Sequence, residues 1–345
     1  GERDPGLAVG AGHDGGIPVR PWGEQAFATA SGTMSSTTTE LVSLGAGRSY
    51  ESPEMTIVLS PTMPRMLFEL ALGREAYPLA RSSLICWPIP PDTTIDRASD
   101  LIAAASALSY LRRTRATDAP EAARLTDRVR GLAAELLTLQ NEDGGWPWVA
   151  SAGQDKRPSE RLTSARVFWA LAEIEPLGLL ADPAALDRGG NFLTQQFAAA
   201  DAADHDTRAA LMHALSVRKK ATFEQANALN RVRDGLADVA LAQLALTFAN
   251  LDRRELAGEV LTVLGPRAKV ETAGPGLPTR LFWTGASRRP GLGGPAEATA
   301  LAAFAYAKAR SDAPELAGAV RWLLAHRVGS GWQPHKAKGP ALAAL

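Results

Sequence analysis

The chain has 345 residues, with Lys+Arg and Asp+Glu both at 37 and a formal net charge of zero. That balance supplies no broad basic face for nucleic acid or anionic lipid. The one cysteine, Cys86, excludes an intramolecular disulfide and any multi-cysteine zinc site. No apolar run approaches the roughly 20 residues needed to span a bilayer.

Gly1 to Gly16 are polar and glycine-rich. From Ile17 to about Pro61 the chain is rich in Thr, Ser, Val and Gly, with alternating stretches such as Thr39-Glu40-Leu41-Val42-Ser43-Leu44 and Met55-Thr56-Ile57-Val58-Leu59. That period predicts strands. Two or three strands do not close a stable sheet alone, so residues 1–60 read as the end of a preceding β module, sandwich- or CUB-like, in a longer protein.

After Pro61 the pattern turns helical, with Leu101, Ala105, Leu108 and Leu111 on one stripe and Leu125, Val129, Leu132 and Leu136 on another. Asp118-Ala119-Pro120-Glu121 and Asp312-Ala313-Pro314-Glu315 give the same start signal twice: an Asp cap, an early Pro and a first-turn carboxylate. Leu139-Gln140-Asn141-Glu142-Asp143-Gly144-Gly145-Trp146 ends one helix much as His326-Arg327-Val328-Gly329-Ser330-Gly331-Trp332 ends another. Helical hairpins repeated in this way bury their faces against neighbours, and without a fixed period near 34 residues a closed α/α toroid over 61–345 is expected ahead of an open solenoid. Gly339 to Leu345 look like a final helix cut off in its first turns.

The spacing Gln140-x-x-x-Gly144-x-Trp146 matches the glutamine-tryptophan motif of triterpene cyclases, which share the toroid. Their chemistry needs an acidic cluster in an aromatic cavity, and this chain has no Asp-x-Asp-Asp run and 6% aromatic residues. Prenyltransferase zinc would require Cys86 beside His205, His213 or His326.

Four stretches, taken in order, resemble the thioester-containing domain of bacterial α-2-macroglobulin-like proteins: Ile57 to Thr62; Leu139 to Trp148 with Leu162 to Leu171; Ala237 to Leu246 with Pro295 to Leu301; and Val320 to Leu324 with Gly331 to Lys336 and Ala341 to Leu345. That family's reactive group is a thioester within Cys-Gly-Glu-Gln or a close variant, where Cys and Gln three apart share one side of a helical turn. The motif is missing here. Cys86 is followed by Trp87-Pro88-Ile89, Tyr77-Pro78-Leu79-Ala80 leads into Arg81-Ser82-Ser83-Leu84, and Trp22-Gly23-Glu24-Gln25 has Trp where sulfur is required.

The resemblance implies a non-enzymatic domain of a large extracytoplasmic protein, trapping proteases or acting as an envelope scaffold without a thioester. Its partners would be proteases or other domains of the same protein, and no metal or cofactor is called for. Cys86 reads as an inert thiol. Trp146, Trp148, Trp332 and His335 are the candidate binding or packing residues, the tryptophans as plugs between helix pairs and His335 as part of a capping turn. Arg218-Lys219-Lys220 and Arg288-Arg289 read as solvated ends, and Asp201 to Asp206 as an acidic helix start. The alternatives are a toroid enzyme of the cyclase or prenyltransferase class and a carbohydrate- or peptide-binding toroid, which exposed tryptophans would favour.

Overall fold

The computed structural model describes residues 42–47, 49–50, 55, 57, 62–72, 93–116, 120–149, 157–272, 278–285, 293–327 and 331–345. Among these, twelve α-helices follow one another: α1 Met63–Leu72, α2 Thr94–Arg113, α3 Pro120–Thr138, α4 Arg161–Ile174, α5 Pro183–Ala199, α6 His205–Val217, α7 Phe223–Asn230, α8 Asp238–Asn250, α9 Arg254–Leu264, α10 Pro295–Ala309, α11 Pro314–Ala325 and α12 Lys338–Ala344. Most of the strand pattern expected over Ile17 to Pro61 lies outside the described residues.

Two helix textures alternate along the chain. Thr163–Ala172 of α4, Val239–Phe248 of α8 and Ala296–Tyr306 of α10 are unbroken buried runs. A helix buried on every side needs neighbours all round. By contrast α3 buries Leu125, Val129, Leu132, Ala133 and Leu136, and α9 buries Ala257, Val260, Leu261 and Leu264, one stripe each. These helices cover the others from outside.

Packing follows that division. α2 packs on α4, α4 on α6, α6 on α8, α8 on α10, α10 on α12, and α12 returns to α2, so the even-numbered helices close a ring. α3, α5 and α9 lie against the pairs they connect, α11 lies against α10, and α1 lies across α2 and α3. At about 1.5–3 kcal/mol for each large apolar side chain buried, this double layer supplies the main driving force.

Local signals set the boundaries. Glu160 caps α4 by accepting from Leu162 N at 3.0 Å and Thr163 N at 2.6 Å. Thr222 and Gln225 form a reciprocal capping box on α7. Asp204 caps α6, as the acidic start suggested. α3 and α11 begin at Pro120 and Pro314. For α11, however, the residue before the proline is Ala313, with no side-chain cap, and Asp312 lies one position too early to serve.

The helical pattern also hides an antiparallel hairpin of β1, Lys269–Glu271, and β2, Arg280–Phe282, between α9 and α10. Three-residue strands are too short to show a period. The hairpin is held by Arg280 to Glu271 at 3.1 Å and by Phe282 stacked on Trp322 of α11 at 5.2 Å.

Candidate functional site

The glycine-tryptophan turns each anchor an indole in the core. Trp146 is fully buried and its Nε1 donates to Leu136 O in the last turns of α3 at 2.7 Å. Trp332 does the same to Leu323 O of α11 at 2.8 Å. A third copy is Trp283, whose Nε1 reaches Leu264 O of α9 at 2.9 Å and whose backbone N–H donates to Thr299 Oγ1, just as Trp146 N donates to Ser164 Oγ. Each indole thereby supplies a donor to a carbonyl in the last turn of the outer helix before it, at Leu136 in addition to the Leu139 N–H.

Gln140 completes the first of these ties. Its amide donates to Gly144 O and to Ala185 O of α5, both at 2.9 Å, and its carbonyl accepts from Arg188 at 2.9 Å. Gly144 has φ +89°, and a Cβ there would meet Arg188 O at 2.5 Å. The glutamine-tryptophan spacing is thus a hinge pin between α3 and α5, accounted for by packing alone.

Trp148 is 58% exposed, although its carbonyl accepts from Thr94 N at the start of α2. His335 Nε2 lies 3.0 Å from Asp100 Oδ1. The four candidate side chains are not gathered into one site, and Cys86 lies outside the described residues. Arg218 bridges Glu175 and Asp187 at 2.9 Å each, and Lys219 reaches Asp252 at 2.5 Å, so this basic run pins successive helices together. Arg288 and Arg289 are outside the described residues.

The chemistry that sequence reading missed sits on the axis of the ring. Arg166 of α4 and Glu297 of α10, 6% and 1% exposed, form a direct ion pair. Glu297 also receives Lys336 Nζ at 2.7 Å and Gly293 N–H at 3.1 Å. Arg166 reaches on to Lys336 O at 3.1 Å, to which Ser99 Oγ donates at 2.9 Å. Asp100 of α2 takes Lys338 Nζ at 2.7 Å, His335 at 3.0 Å and Arg128 at 3.3 Å. Burial raises the Asp100 pKa, but the Lys338 ammonium and His335 outweigh it and hold the carboxyl well below its ordinary range. Such pairs lock α12 and the turn His335–Ala337 before it to α2, α4 and α10. Breaking one partner leaves an uncompensated buried charge, at a cost of about 3–5 kcal/mol.

Deeper along the axis, Trp169 meets His213 edge-on at 4.7 Å and stacks on Phe304 at 6.0 Å. Burial, reinforced by Lys308 and Arg166, pulls the His213 pKa down to about 3, so the imidazole is neutral at physiological pH. A cavity of about 20 Å³ opens here, lined by Ile95, Arg166, Trp169, His213, Gln243 and Glu297 among others. It admits one or two waters and has no room for a polyene. Among the described residues no group of three or more His, Cys, Asp and Glu could hold a metal. One signal for this site was present: Arg166 and Glu297 are charges flanked on both sides by apolar residues within helix stretches of all-round apolar character, where a charge has to find a partner.

No family model and no curated protein matches the sequence. Solved structures do. Salmonella α-2-macroglobulin reacted with methylamine aligns with 77% of this chain at a TM-score of 0.52 and 16% identity. The chain shares its fold with bacterial α-2-macroglobulin. A mutant of the Salmonella protein aligns at 0.50 with 13% identity over 74% of this chain, and an Escherichia coli α-2-macroglobulin fragment spanning domain MG7 to the C-terminus aligns at 0.47 with 15% identity. The chain spans 17% of the Salmonella α-2-macroglobulins and 42% of the Escherichia coli fragment. Among its described residues no helix is long and apolar enough to cross a membrane.

Proposed function

We propose that this chain is the ring domain of a large α-2-macroglobulin-like protein that works without a thioester, by steric enclosure of a protease or as an extracytoplasmic scaffold. The observation that carries the reading is the closed helical ring, shared in fold with Salmonella α-2-macroglobulin, in a sequence whose cysteine lacks a glutamine three positions on. Its axis is filled by ion pairs and the Trp169–Phe304 stack, which favours a structural element over a cyclase or prenyltransferase. A carbohydrate- or peptide-binding toroid loses two of its three proposed contacts, since Trp146 and Trp332 are buried.

The test is made on the full-length protein. Methylamine is expected to leave the mass and the free-thiol count unchanged, while limited proteolysis compacts the molecule and retains the protease through gel filtration. A gained amine with a released thiol would make covalent capture the function. A protein that neither changes shape nor holds the protease leaves the scaffold role alone standing.

A further inference from the structure

We propose that Lys308, at the end of the ring axis remote from Arg166 and Glu297, is a modification site whose amine condenses with small aldehydes. Its surroundings come from the last turns of four successive inner helices: Glu173 of α4, Ser216 of α6, Asn250 of α8 and Lys308 of α10. The chain has seven lysines, and their partners set this one apart. Lys336 and Lys338 each hold a carboxylate at 2.7 Å, while Lys219 and Lys220 hold Asp252 and Asp187 at 2.5 and 3.4 Å. Lys269 is exposed, so water serves it. Lys308 is half-buried, yet among the described residues it forms no ion pair; its ammonium donates to the neutral Asn250 Oδ1 at 3.0 Å and lies 4.7 Å from the centre of the Phe304 ring. A charge taken out of water without a counter-ion is costly.

The uncharged amine suits the same place. Burial lowers the Lys308 pKa from its ordinary value; Glu173 opposes this and Lys219 adds to it. Ser216 Oγ donates to His213 O at 2.7 Å and so accepts from Asn250 Nδ2 at 3.0 Å, which turns Asn250 Oδ1 toward Lys308. One amine hydrogen stays on that oxygen, and the nitrogen lone pair is left for an electrophile. Attack on an aldehyde carbon forms the C–N bond, the carbonyl oxygen departs as water with the two amine hydrogens, and a C=N bond remains. That condensation needs a neutral amine and no leaving group, and a half-buried amine admits only a small reagent.

Limiting formaldehyde with cyanoborohydride, which traps the imine as a methylated amine, tests the site in the folded protein, read by cleavage at arginine and mass mapping of the lysines. At neutral pH Lys308 is expected to be methylated several-fold faster than the exposed Lys269, and its rate to level off at a lower pH. Asn250→Asp sets a carboxylate against the ammonium and should bring the Lys308 rate down to that of Lys269 or below. A wild-type Lys308 that labels no faster than Lys269, or that follows the same pH profile, overturns the proposal. So does an Asn250→Asp chain with wild-type circular dichroism in which Lys308 labels as fast as before. Neither result depends on whether the full-length protein traps proteases.

Discussion

At the residue scale the axis is governed by what burial does to ionisable groups. His213 is neutral in the folded chain and free to protonate once unfolded, so between pH 6.5 and about 3 the unfolded state binds the extra proton. Stability from this group is therefore fully present above pH 6.5 and drains away as pH falls below it. Urea titrations at pH 7.5 and 5.0 should show the wild type losing about 2 kcal/mol more than His213→Leu across that interval. Equal losses would place a hydrogen-bonded, protonated imidazole in the fold. His213 entered the sequence reading as a possible neighbour of Cys86 and His335 as a cap. Their depth and partners depend on which helices face the axis, and local sequence does not contain that information. Arg166 and Glu297 were legible in one respect: a charge flanked by Ala and Val is conspicuous, even when its partner lies 131 positions away.

At the level of elements, the recurring tie is an indole that follows an outer helix and donates to a carbonyl in that helix's last turns. Trp146, Trp283 and Trp332 are three instances of one device; phenylalanine at Trp283 or Trp332 should destabilise by about 1–3 kcal/mol, since a buried carbonyl loses its donor, and by less at Trp146, where Leu139 N–H still donates to Leu136 O at 3.2 Å. Chemical denaturation of the three variants checks this, and a near-zero effect at Trp283 would separate it from the other two. The first and last instances could be read from their glycine-bearing turns. Trp283 could not, because β1 and β2 are inserted ahead of it and Gly285 follows it. Helix starts at Pro120 and Pro314 were equally plain, since proline fixes the first-turn geometry; the cap itself is less constrained, and Ala313 occupies it at α11.

For the whole molecule, closure is the property that matters. An open stack tolerates loss of a terminal unit, whereas a ring loses two interfaces at once. A chain ending at Gln333 lacks α12, and with it the Lys338 and His335 partners of Asp100 and the Lys336 partner of Glu297. Such a truncation should keep helical circular dichroism but bind hydrophobic dyes and unfold over a broad range; a sharp wild-type-like transition would show that α2 to α11 suffice. Closure was inferable because alternating all-round and one-sided burial has few other solutions. The neighbours across the seam were not: Gly339, where a Cβ would meet Ser99 O at 2.8 Å, gives no hint of α2 in its local sequence.

That seam also sets an order of events. The helix that completes the ring is synthesised after the other eleven, and its Lys338 follows its partner Asp100 by 238 residues. Until Lys336 and Lys338 emerge, Asp100 and Glu297 lack the ammonium groups that answer them, and the face of α2 that α12 covers stays open to water. Synthesis therefore passes through a long interval in which most helices exist and the barrel is still ajar, a window in which a holdase has something to hold.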